Sequence, residues 1–125
     1  MKHARIDEPA IAELVERFYG YARADARLGP VFAAAVHDWP GHMATLKDFW
    51  SSVMLGSGRY KGNPFAVHTA LPLEPGLFQD WLGLWHKTTA ELFEPEVAAQ
   101  FDARAERIAD SLKAGLFFNP SRPAR

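Results

Sequence analysis

Arg59-Tyr-Lys-Gly-Asn-Pro-Phe-Ala-Val-His-Thr-Ala-Leu-Pro72 lies between two strongly periodic segments and has a single histidine, His68, at its centre. Gly62, Asn63 and Pro64 lead into it and Pro72 closes it. Proline removes a backbone donor and biases the residue before it away from helix, so only a short helical turn fits between. His68 is thus held on a pinned segment among Phe65, Val67 and Leu71. A neutral imidazole in so apolar a setting can serve as an axial ligand of haem iron. For a lone histidine, burial against a backbone carbonyl is the commoner outcome, and the flanking segments decide between the two.

Upstream, His37-Asp-Trp-Pro-Gly-His42 is a turn that launches a long helix, with Asp38 as its cap and Pro40 in its first turn. His42, Leu46, Phe49, Trp50 and Val53 then share one face. A histidine that begins an apolar stripe either reaches solvent, the commoner case, or faces a polar guest inside. Gly56-Ser-Gly58 ends this helix. Nearer the N-terminus, Asp7 caps a first helix with Pro9 in its opening turn, and Ile11, Leu14, Val15, Phe18 and Ala22 give it an apolar face. Tyr19 sits at the edge of that face, where its ring can be buried while its hydroxyl finds a partner. Gly29-Pro30 breaks the helix, and a short apolar turn from Val31 to Val36 is expected after it.

Downstream, Glu74-Pro75-Gly76 opens a third long helix carrying Leu77, Phe78, Trp81, Leu82, Leu84, Trp85, Leu92 and Phe93. It is apolar over most of its circumference, which makes it the central one. Glu94-Pro95-Glu96 repeats the start signal, and Val97, Phe101, Ile108, Leu112 and Leu116 carry the last helix. No segment alternates with period two, so the chain reads as all-α. One domain over residues 1–125 is expected, with frayed ends at 1–7 and 119–125.

The 13% aromatic content is high for 125 residues and points to a bulky core or to the lining of a flat apolar cofactor. A net charge of −1 argues against nucleic-acid binding. Without cysteine there are no disulfides, thiolate metal sites, cysteine nucleophiles or Cys-x-x-Cys-His haem attachment, and a reducing cytoplasm is the expected setting. No apolar run approaches a membrane span of about 20 residues, and the N-terminus lacks a signal-peptide core. His37 and His42 are not spaced as ligands on one helix face, and neither a Gly-Lys-Ser/Thr phosphate loop nor a Gly-x-Ser-x-Gly elbow occurs.

An ordered set of separate elements remains: Arg17-Phe-Tyr19, Leu28-Gly-Pro-Val-Phe32, His42 with Phe49-Trp50, Leu55-Gly-Ser-Gly-Arg-Tyr-Lys-Gly62, His68 between Pro64 and Leu71, and Trp81. In this order the chain resembles the truncated haemoglobins, most closely their third group, over roughly residues 8 to 117. The resemblance implies a two-over-two helical sandwich around haem b. It makes His68 the proximal iron ligand. Tyr19 and Trp81 become the distal hydrogen-bond donors, and His42 a distal histidine able to gate ligand entry by swinging outward. Phe32 packs on the haem face, Leu46, Phe49 and Trp50 line the distal side, and Val67 adjoins the proximal ligand. Arg59, Tyr60 and Lys61 are candidates for the propionates, on charge and position.

Those residues lead to two expected functions. The first is capture or sensing of dioxygen or a related diatomic, bound too tightly for bulk oxygen transport. The second is redox catalysis, either nitric oxide dioxygenation or peroxidase-like chemistry, with an external reductase. A monomer or weak dimer is expected in either case. A cofactor-free helical protein with an aromatic core is the bland alternative, marked by full helicity without haem.

Overall fold

The computed structural model describes residues 2–62 and 75–117, the side chains of 75 and 115–117 aside. Five helices follow one another in the described residues: α1 (Glu8–Ala24), α2 (Leu28–Ala35), α3 (Trp39–Leu55), α4 (Pro75–Leu92) and α5 (Pro95–Phe117). The pair α1–α3 rests on the pair α4–α5 through contact of α1 with α4, and the short α2 bridges α1 and α4. This is the expected all-α, two-over-two arrangement. Among the described residues, no helix is long and apolar enough to cross a membrane.

Local chemistry explains the helix ends. The Asp7 carboxylate accepts from the Ala10 amide (3.0 Å) and that of Asp38 from Gly41 (3.1 Å), each satisfying a first-turn donor with no partner inside its helix. Gly56 closes α3 at φ +66°, a left-handed conformation that only glycine adopts without a Cβ clash. α2 differs from expectation, because Gly29-Pro30 lies inside its first turn and does not precede it. The Asp25 carboxylate accepts from the amides of Arg27 and Leu28 (both 2.9 Å), so the helix is primed before the proline. Pro30 then occupies a position whose missing N–H costs nothing. Gly29 lets α2 cross the end of α1, since a Cβ there would lie 2.6 Å from the Arg23 carbonyl oxygen.

The core runs along the contact of α1 with α4 and α5. Ile11, Leu14, Val15 and Phe18 are wholly buried, as are Trp85, Phe93 and Phe101. Thr88 and Thr89 are buried too. Thr88 donates to the Leu84 carbonyl (2.7 Å) and Thr89 to the Asp102 carboxylate (2.8 Å), so neither hydroxyl is stranded. The N-terminal segment departs from the expected frayed end. His3 pairs with Phe93 through an isolated bridge, its amide donating to the Leu92 carbonyl (2.8 Å) and its carbonyl accepting from Glu94 (2.9 Å). The α4–α5 corner leaves these backbone groups without helical partners, and the strap supplies them. The expected frayed tail at 119–125 lies outside the described residues.

Candidate functional site

A cavity of about 340 Å³ opens where all five helices converge. Tyr19 reaches it from α1, Leu28, Val31 and Phe32 from α2, and His42, Thr45, Leu46, Phe49 and Trp50 from α3. Leu77, Phe78 and Trp81 enter from α4, Ile108, Ala109 and Leu112 from α5, and Tyr60 from the segment after α3. Several of these apolar side chains (Phe32, Leu46, Phe49, Ile108, Leu112) are only half-buried, unlike the core residues on the same helices. All five line the cavity, as expected of a crevice shaped for an apolar guest.

Three of its polar residues, Tyr19, His42 and Trp81, share one wall. Tyr19 is 6% exposed, and the Trp81 indole N–H approaches its hydroxyl as a hydrogen-bond donor. The Tyr19 ring stands edge-on to Phe32 (centroids 5.3 Å apart) and to His42 (5.7 Å), which fixes its orientation. The Nε2 atom of His42 is buried, so that ring is turned inward. Behind the wall the indoles of Trp50, Trp85 and Trp81 form a stack, with centroids 4.4 Å apart at 22° and 5.6 Å apart at 11°. Phe18 sets its ring edge-on against both Trp81 and Trp85.

Burial pushes the Tyr19 phenol well above its ordinary value, and the Trp81 hydrogen bond offsets this only in part. The phenol therefore stays protonated and able to donate. A group that holds its proton more tightly in the folded chain stabilises the fold below its unfolded pKa, and that stability is lost as pH rises through the folded value. Wild-type protein is thus expected to lose stability from about pH 10 upward, the ordinary tyrosine range. Tyr19→Phe should lose correspondingly less over the same interval, as read by urea denaturation across pH 8 to 11.

Of the residues expected at a site, Tyr19, Phe32, His42, Leu46, Phe49, Trp50, Tyr60 and Trp81 come together around this cavity. His68 and Val67 lie outside the described residues. Arg59 and Lys61 are not among the cavity-lining residues. Arg59 pairs at 3.7 Å with Glu8, and that carboxylate also accepts from the buried Ser51 hydroxyl at 2.6 Å. Tyr60 is held by its amide, which donates to Ser52 Oγ (2.8 Å), and by its ring edge-on to Phe49 (5.1 Å). Leu28, Val31, Thr45, Leu77, Phe78, Ile108, Ala109 and Leu112 also line the cavity and were not foreseen as site residues. Most of them belong to apolar stripes visible in the sequence, but periodicity does not separate a residue facing a cavity from one facing the core.

No family model matches the chain. It is 34% identical over 122 residues to the group 3 truncated haemoglobin of Campylobacter jejuni, covering 94% of this chain and 96% of that protein. Its fold superposes on the crystal structure of a group III truncated haemoglobin from Campylobacter jejuni with a TM-score of 0.91 at 31% identity, covering 98% of this chain and all of the other. Identity at this level over nearly the whole length, together with the shared fold, shows that the chain belongs to the group III truncated haemoglobins.

Proposed function

We propose that residues 1–125 form one haem b-binding domain that captures dioxygen or a related diatomic ligand with high affinity and slow release. The observation that carries this reading is the approach of the Trp81 N–H to the Tyr19 hydroxyl on the wall of an apolar cavity. Indole N–H can only donate, whereas a phenol both accepts and donates. An oxygen that receives from Trp81 keeps its own proton to give, and Tyr19 lines the cavity with that hydroxyl at its polar wall.

The lining suits a flat, mostly apolar macrocycle. Half-buried Phe32, Leu46, Phe49, Ile108 and Leu112 offer apolar area to its faces, and Tyr19, His42 and Trp81 are grouped together on one wall. His68 would hold the iron, and Arg59, Tyr60 and Lys61 are the candidates for the propionates. Bound haem would supply an iron centre able to bind a diatomic ligand and to place partial negative charge on it. Tyr19 donates to that charge, Trp81 orients and polarises the donor, and the aromatic rings around them exclude water. Such donors count for more in a dry site than in solvent. On this reading the protein is cytoplasmic and a monomer or weak dimer.

The test is the visible absorption spectrum of the purified protein in ferric, ferrous and ferrous–carbon monoxide forms, beside the same spectra for His68→Ala. An intense haem band is expected, with a carbon monoxide form that the variant loses or strongly alters. Failure of the wild type to take up haem on reconstitution would overturn the function.

A further inference from the structure

Trp39 is the first residue of α3, three positions before His42, and one helical turn brings the two side chains together. Its ring lies edge-on to His42 (5.5 Å between centroids) and also packs against Tyr19 (6.2 Å) and Phe32 (6.3 Å). Those three residues line the cavity, and Trp39 does not. It is half-buried, and the guanidinium of exposed Arg23, in the last turn of α1, sits 4.1 Å above its ring. Trp39 therefore forms the layer between the polar wall and solvent, at a place where the end of α1, the short α2 and the start of α3 meet. Helix ends open more readily than helix middles, so a route for small molecules through this layer needs little unfolding. A bulky indole clamped there obstructs a large ligand far more than a diatomic one.

We propose that Trp39, held by Arg23, is a size filter for ligands entering the cavity. It is a specificity-determining residue that acts on entry, separate from Tyr19 and Trp81, which act on retention. The inference rests on the haem-binding reading above. Trp39 moves aside only when its contact with the Arg23 cation is given up, and entry of anything larger than a diatomic waits on that motion.

The experiment is the association rate of carbon monoxide and of methyl, ethyl and n-butyl isocyanide with the ferrous haem-loaded protein, after flash photolysis. In the wild type the rate is expected to fall about tenfold along the isocyanide series, the scale on which a required conformational change slows binding. Trp39→Ala should flatten that fall to about threefold or less, while Trp39→Phe keeps most of it. Arg23→Gln leaves the indole in place and should give an intermediate slope, so it decides the matter if Trp39→Ala does not fold. Amide hydrogen exchange over the first turn of α3 should quicken in Arg23→Gln, a readout that needs no haem. A merely structural role for Trp39 would lower the melting temperature and leave the dependence on ligand size as in the wild type, which would overturn the filter. A wild type without a ferrous–carbon monoxide band would overturn the haem reading itself, a result distinct from an unchanged slope.

Discussion

Replacing Tyr19 by phenylalanine is expected to speed dioxygen release from the ferrous haem-loaded protein about tenfold, and Trp81→Phe should have an effect of similar size. A hydrogen bond to a partly charged acceptor contributes on the order of 1–3 kcal/mol in a dry site, and about 1.4 kcal/mol is tenfold in a rate governed by release. The coupling of the two residues makes the double variant the sharper test. Once the Tyr19 oxygen is gone, the Trp81 N–H has lost the acceptor it approaches. A buried donor without a partner is costly, so the indole is driven toward the ligand and partly replaces the phenol. With Trp81 gone, Tyr19 still donates, only less well oriented. Each single variant therefore understates its donor, and the double variant should release dioxygen faster than the product of the two single effects. A double variant no faster than Tyr19→Phe alone would mean that Trp81 acts solely through Tyr19. Release rates unchanged in both single variants would remove the proposed basis of high affinity.

Much of this wall was legible in the sequence, for reasons that differ between residues. Asp7 and Asp38 were readable as caps because a short acidic side chain before an apolar stripe has one inexpensive use, and both carboxylates accept first-turn amides. Phe18 and Tyr19 could be told apart, since one residue of helical rotation moves a side chain from the core to the edge of the face. Phe18 is wholly buried and Tyr19 lines the cavity. Trp81 and Trp85, one turn apart on the same apolar helix, are not distinguished by periodicity, and only the family resemblance singles out Trp81. In the structure Trp81 meets the cavity, and Trp85 lies behind it in the core.

Other features depend on contacts between segments distant in sequence, which local pattern does not encode. Asp25 is a local exception, capping α2 through the Arg27 and Leu28 amides from two residues before that helix's own cap position, where the usual cap pattern does not place it. Arg59 appeared as a basic residue beside the pinned His68 stretch, but Glu8, some fifty positions away, pairs with it. Trp39 looked like part of a turn, and its packing on Tyr19 and Phe32 emerges only when α1, α2 and α3 come together. The pairing of His3 with Phe93 joins the chain's start to a distant corner in the same way.

Trp85→Ala is expected to be among the most damaging core substitutions, costing about 4 kcal/mol in urea denaturation. The residue is wholly buried, stacked face to face with Trp50 on one side and Trp81 on the other, with Phe18 and Phe101 edge-on. Removal would leave a void where helices α1, α3, α4 and α5 meet. That loss is a large share of the roughly 5–15 kcal/mol by which domains of this size are stable. Trp85→Phe should behave very differently. The Nε1 atom of Trp85 is buried with no hydrogen-bond partner among the described residues, so the indole carries an uncompensated donor. Phenylalanine gives up part of the stacked area but removes that donor, and the two effects oppose each other. A net cost of about 1 kcal/mol or less is expected, against about 4 kcal/mol for alanine. Were Trp85→Phe as costly as Trp85→Ala, the stack would depend on the full indole or its N–H would have found a partner. The two substitutions should also separate at the site. Alanine withdraws the surface on which Trp81 lies, loosening its approach to Tyr19, so dioxygen release should quicken toward the Trp81→Phe rate. Phenylalanine keeps that surface and should leave release near the wild-type value.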